Sequence, residues 1–293
     1  MLKKVVLPNR EEIAFRIGGN GPETLVMVHG NLVSSRHWGT LLEKLSNKFK
    51  VIALDLRGAG ESSYNENVET FKDWANDIKL FCDELDLKDF NLLGWSMGGG
   101  IIQQFAVDNP NYAKKMILFG SIPPSGYPYV KKGPKGEFLD EYYDNKEELL
   151  QDPVQLKPMI DGLENKNRDF MKQLWAMSVF NIKVPEKEEF EILIDDVYKT
   201  RNLKDAAWAA HAFNISHINN GVFDGTGEID KIKIPVLIIG GEKDLICPIS
   251  MHEFTKDQIG ENAVLEIIPN AGHAFHYDNE DLVVEKITNF IFE

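Results

Sequence analysis

Leu92-Leu93-Gly94-Trp95-Ser96-Met97-Gly98-Gly99-Gly100 sets one serine among four glycines. Apolar residues lead into Gly-x-Ser-x-Gly, and Ile101-Ile102-Gln103-Gln104-Phe105-Ala106 continues it as a helix-compatible run. This is the pattern of a nucleophile elbow, a sharp strand-to-helix turn that lifts a serine hydroxyl above the end of a sheet. Gly94 and Gly98 leave room where a side chain would strike a neighbouring strand or helix. Ser96 is expected in a strained conformation beside the unpaired amides of the new helix, where a developing oxyanion is stabilised. A serine hydroxyl is a poor nucleophile unless a base takes its proton and a third group holds that base. Ser96 therefore needs a histidine and a carboxylate from elsewhere in the chain.

On both sides of the elbow, short β-branched runs alternate with helical patterns. Residues 13–17, 24–29, 51–55, 90–93 and 115–120 read as strands, and 36–47 and 70–87 as helices. In the second helix Phe71, Trp74, Ile78, Phe81 and Leu85 recur at three- and four-residue spacings, and Thr70 with Asp73 makes a capping-box start. Such alternation implies a mostly parallel sheet covered on both faces. It then stops. Residues 122–222 begin with a Pro- and Gly-rich stretch (Pro123, Pro124, Gly126, Pro128, Gly133, Pro134, Gly136) and continue with helical patterns over 138–150, 154–180, 186–200 and 203–215. Strand patterns resume over 235–240 and 263–268, and a helix over 279–291 closes the chain. An all-helical insertion between sheet strands reads as a lid over the strand ends, where open α/β sheets bind ligands.

Two late strand ends supply the missing partners. Asp244 follows Ile239-Gly240-Gly241-Glu242-Lys243, and His273 follows Ile268-Pro269-Asn270-Ala271-Gly272. Glu242 competes with Asp244, and His276 with His273. Taken with Val28-His29-Gly30-Asn31 and with Asp55-Leu56-Arg57-Gly58-Ala59-Gly60-Glu61-Ser62, these motifs make the chain similar to α/β-hydrolases over nearly its whole length outside the insertion. The order Ser, acid, His is the one found in that superfamily.

The resemblance implies a serine-nucleophile, esterase- or lactonase-like member: an eight-stranded sheet with a helical cap, and a triad of Ser96, Asp244 and His273. It also implies an oxyanion hole made by the backbone N–H groups of Met97 and Asn31. His29 is expected to organise the oxyanion loop, and Asp55 and Arg57 to tie loops near the sheet's edge. His-Gly-Asn followed by Ser34, Ser35 and Trp38 also resembles haloalkane dehalogenases, but their nucleophile is Asp. An alkylated serine would be an ether that water does not open, so Ser96 requires an acyl substrate.

Composition narrows the classes further. The 293 residues are 43% hydrophobic and 27% charged, ordinary for a globular protein. With Lys+Arg 32 against Asp+Glu 46 the net charge is −14, which argues against nucleic acid or an anionic membrane as partner. Cys82 and Cys247 make no disulfide framework, and the N-terminal residues hold no 7–15-residue apolar run, so a cytoplasmic protein is expected. Gly98-Gly99-Gly100 lacks the lysine of a phosphate loop, and His273, His276 and Asp278 do not complete a metal set.

The expectation is a core of residues 1–121 and 223–293 with a cap over 122–222. The activity expected is cleavage of a carboxylic ester, lactone or thioester of a small molecule through an acyl-enzyme, without cofactor or metal. C–C bond hydrolysis or perhydrolysis with the same triad, or a small-molecule receptor on this fold, are the alternatives. The oligomeric state is open.

Overall fold

The computed structural model describes residues 1–293 apart from 111 and 134. Pro134, part of the Pro- and Gly-rich stretch, therefore lies outside the described residues.

Val, Ile, Leu and Phe dominate the strands because these side chains suit a pleated surface buried on both faces. In chain order the strands are β1 (Leu2–Val6), β2 (Glu12–Gly18), β3 (Thr24–Val28), β4 (Lys50–Leu54), β5 (Phe90–Trp95), β6 (Ala113–Phe119), β7 (Val130–Lys132), β8 (Phe138–Tyr142), β9 (Val236–Gly241) and β10 (Ala263–Ile268). Eight of them form one sheet in the order β1-β2-β4-β3-β5-β6-β9-β10. β2 pairs antiparallel with β1 and with β4, and every pairing from β4 to β10 is parallel. β5, which carries the elbow, lies in the middle of the sheet.

The helices are α1 (Gly39–Ser46), α2 (Phe71–Glu84), α3 (Met97–Asp108), α4 (Lys146–Leu149), α5 (Lys157–Glu164), α6 (Arg168–Met177), α7 (Lys187–Val197), α8 (Leu203–Ala212), α9 (Ile249–Ile259), α10 (Phe275–Asp278) and α11 (Glu280–Phe292). Strand alternation sends Val26, Val28 and Leu92 into the apolar layer shared with Phe71, Trp74, Ile101 and Phe105 of α2 and α3. Leu25, Met27, Leu93 and Trp95 enter the opposite layer with Leu41 and Leu45 of α1 and Val283 and Ile287 of α11. α2 begins at Thr70 with the capping box that its sequence promised.

The segment between β6 and β9 is anchored in both layers. Met171, Trp175, Leu193, Ile194 and Val197 join the α1/α11 layer, whereas Ala206, Ala209, Phe213 and Ile215 join the α2/α3 layer.

This segment is not all-helical. The helix expected over 138–150 is instead strand β8, paired antiparallel with β7, followed only by the short α4. Gly136, at φ +80°, closes a turn with Gly133 (Gly136 N–H to Gly133 O, 2.9 Å) that folds the chain back on itself. Phe138 then finds a backbone partner in Lys132, which side-chain periodicity does not reveal. The helix starts only where the Asn145 side chain accepts the Glu148 N–H. The expected 154–180 helix is likewise two, α5 and α6. Lys166 at φ +51° breaks the run, and the Asn167 side chain caps α6 by accepting the Phe170 N–H at 3.2 Å.

Candidate active site

The elbow is strained where its sequence requires. Ser96 sits at φ +56°, ψ −122°, between the last residue of β5 and the first of α3. That conformation is costly for a residue with a side chain and persists only when its surroundings hold it. The Ser96 N–H donates to Phe119 O at 3.0 Å, and the Ser96 carbonyl accepts from Gly99 and Ile122. A Cβ on Gly98 would run into the Val28 and His29 carbonyl oxygens, and one on Gly94 into the backbone of Gly98. Both positions need glycine because backbone meets backbone there.

Four loops converge on Ser96. The loop after β3 crosses closest: a Cβ on Gly30 would stand 2.9 Å from the Ser96 Cβ. His29 pins that loop, with Nδ1–H donating to Gly30 O at 2.8 Å and Nε2 accepting the Leu56 N–H at 2.9 Å. Burial pushes the pKa of His29 down, so the ring stays neutral, as this pairing demands. Asp55 accepts from the amides of Ser35 and Glu61, and Arg57 grips Asp77 with two nitrogens at 2.7 and 2.9 Å.

His273 and Asp244 meet at the C-terminal ends of β10 and β9. His273 Nδ1 lies 2.8 Å from Asp244 Oδ2, and Asp244 Oδ1 accepts the amides of Ile246 and Cys247 at 2.8 and 2.9 Å. Burial works against the Asp244 charge, yet the His273 imidazole and those amides outweigh it and hold the carboxyl below its ordinary range. An ionised carboxylate only accepts, so His273 carries its proton on Nδ1 and leaves Nε2 as a base. Gly120 lies beside the pair at φ +50°, a conformation that favours glycine, and a Cβ there would press on Phe275 Cε1 at 3.2 Å.

The competing residues lie elsewhere. Glu242 accepts the Asn270 N–H at the surface, and His276 is buried among Trp38, Trp95 and Phe119 with Nε2 3.1 Å from His37 O. His211 braces the insertion between Tyr129 N–H and Tyr143 O, and His217 is partly exposed beside Asp230.

Ser96, Met97, Asn31 and His273 all open onto one cavity of about 280 Å³. The insertion supplies its roof, with Tyr127, Tyr129, Gln155, Met159, Leu174 and Trp175. None of these six was assignable from helical spacing, because that spacing is the same for a pocket wall and a packed core. Residues between β6 and β9 also hold both loops directly: Ala274 N–H, beside His273, donates to Val179 O at 3.1 Å, and Asn181 Nδ2 donates to Lys243 O, beside Asp244, at 2.9 Å. A further contact escaped the sequence altogether. Asp196 of α7 is buried against Ser34, whose hydroxyl donates to it, with His37 Nδ1 at 3.5 Å and Lys199 Nζ at 3.2 Å.

Known proteins agree with this architecture. The alpha/beta hydrolase fold family model matches residues 23–280. The chain is 25% identical to the proline iminopeptidase PfmaB of Pestalotiopsis fici over 97% of each chain. It is 26% identical to a putative non-heme chloroperoxidase of Synechocystis over 92% of this chain and 91% of that one. The esterase RhEst1 from Rhodococcus superposes with a TM-score of 0.73 at 21% identity, covering 100% of this chain and 98% of its own. The eight-stranded sheet, the elbow at the end of its central strand and the matched family model together make this chain an enzyme of the α/β-hydrolase fold family.

Proposed function

We propose that the chain is a serine hydrolase that cleaves a carboxylic ester, lactone or thioester of a small molecule. One observation carries the reading: His273, paired with buried Asp244 at 2.8 Å, lines the same cavity as Ser96, itself held on a strained elbow. Ser96 Oγ adds to the acyl carbon while its proton passes to His273 Nε2, and the carbonyl π pair moves onto oxygen. Met97, first residue of α3, offers an amide that has no intrahelical acceptor, and Asn31 offers a second from the loop beside Ser96. Collapse of the tetrahedral adduct breaks the bond to the leaving oxygen or sulfur, which takes the proton from His273. Water then repeats the sequence on the acyl-enzyme, giving up its proton to His273 and releasing the acid and Ser96. Asp244 holds the imidazole in the required tautomer and balances the charge of the imidazolium. Residues 122–222 act as a cap that roofs this chemistry, on a core of 1–121 and 223–293.

Turnover of a p-nitrophenyl ester series and a lactone panel, wild type against Ser96→Ala, tests the reading. The expected outcome is a loss of several orders of magnitude in kcat for Ser96→Ala, with fluorophosphonate labelling of wild type at Ser96 only. Absence of both turnover and labelling in the wild type overturns it.

A further inference from the structure

The cavity over Ser96 has, among the described residues, no Lys, Arg, Asp or Glu in its wall. Tyr127 and Tyr129 are partly buried phenols; burial, together with the nearby Asp152 charge, pushes the Tyr129 hydroxyl up to about 12, so it stays neutral. An ion brought into such a wall loses its water and gains no countercharge, so its binding is disfavoured. The charges just behind the wall, Asp152 and Asp244, are both negative, and the net charge of −14 has the same sign. An anionic substrate therefore meets repulsion as well as desolvation.

The wall is neutral but not featureless. Gln155, in the roof, has its amide orientation set by two acceptors: Nε2 donates to Val130 O at 3.0 Å and to Asp152 Oδ2 at 3.0 Å. Asp152 is itself buried and held by Tyr143 Oη at 2.6 Å and Val154 N–H at 2.8 Å. With both amide hydrogens engaged, what Gln155 has left for a ligand is the Oε1 acceptor. An acceptor in an apolar roof selects a donor, because a ligand without one leaves it unpaired.

We infer that the site takes an uncharged ester or lactone bearing a hydroxyl or N–H donor remote from the scissile bond, read by Gln155 Oε1. This rests on the serine-hydrolase reading above. The test is a set of p-nitrophenyl esters from three to eight acyl carbons, each in plain, terminal-hydroxyl and terminal-carboxylate form. At the chain length that spans the cavity, kcat/KM for the hydroxyl ester should exceed the plain ester by about tenfold and the carboxylate by at least a hundredfold. In Gln155→Leu the hydroxyl-to-plain ratio should fall to about one, a comparison made within one protein and so insensitive to its folded fraction. A carboxylate ester within tenfold of the hydroxyl ester overturns the inference, as does a hydroxyl preference that survives Gln155→Leu. If no ester is turned over and a fluorophosphonate leaves Ser96 unlabelled, the hydrolase reading fails. Calorimetry of the same esters with Ser96→Ala then decides the inference alone: hydroxyl forms binding more tightly than carboxylate forms support it, and equal or absent binding overturns it.

Discussion

Asp244 accepts three hydrogen bonds, one from His273 and two from backbone amides, and that crowding of donors leaves its role sensitive to a single atom. Asp244→Asn keeps the shape but allows an amide hydrogen to face His273 Nδ1, favouring the tautomer with the proton on Nε2. The expected result is a fall in kcat of about 10⁴ with little change in KM, measured on the best ester. Gly98 is a different kind of single-atom constraint. The Cβ of Gly98→Ala would press on two carbonyl oxygens of the β3 end, and neither can rotate away. Overpacking of that kind costs about 1–3 kcal/mol, to be read from the urea midpoint, and it should shift the elbow enough to lower activity as well. Ser96, Gly98, Asp244 and His273 were legible in the sequence because each belongs to a local motif. Gln155 and Asp196 were not, since only the chain's folding back brings their partners within reach.

At the scale of elements, the contact between α7 and the loop after β3 joins the insertion to the nucleophile's surroundings. Asp196 belongs to α7, whereas Ser34 and His37 flank the turn that follows the Asn31 loop. Burial opposes the Asp196 charge, but His37, the Ser34 hydroxyl and Lys199 more than compensate and hold its carboxyl well below the ordinary range. Its folded-state pKa is thus depressed, so its contribution to stability is present above the usual carboxylate range and is lost only as pH falls through that lower value. Asp196→Ala leaves a buried hydroxyl without its acceptor and should cost about 2 kcal/mol in urea unfolding at pH 7. The ribbon β7–β8 and the break between α5 and α6 belong to this scale too. Periodicity saw apolar residues at helical spacing in both places, but a glycine turn and an Asn cap overrode it.

For the whole molecule, buried histidines set the response to acid. Burial lowers the pKa of His252 to about 4 and that of His276 to about 3, and it also lowers that of His29. In the unfolded chain each takes up its proton near pH 6.5, so the unfolded state binds more protons below that pH and is favoured there. Stability is therefore full above pH 6.5 and declines as pH falls toward 4, by about 1.4 kcal/mol per unit for each such group. Urea midpoints measured from pH 7.5 to 4.5 should fall steeply below pH 6.5, and His252→Gln should flatten the slope. A slope unchanged by that substitution would show that His252 titrates normally.

The sheet, the elbow and the two loops that end in Asp244 and His273 are written in local residue patterns, because hydrophobic alternation and glycine-bounded turns are local properties, but the sequence did not place every strand. It left the eighth strand unplaced: β1 is half of a hairpin with β2 that covers the sheet edge, and its residues are mostly exposed. The rest comes from contacts between distant parts of the chain. They built the cavity roof from Tyr127, Tyr129 and Gln155 and buried Asp196 against Ser34. Each of those outcomes depends on which distant surfaces meet, and residue spacing along a chain carries no information about that.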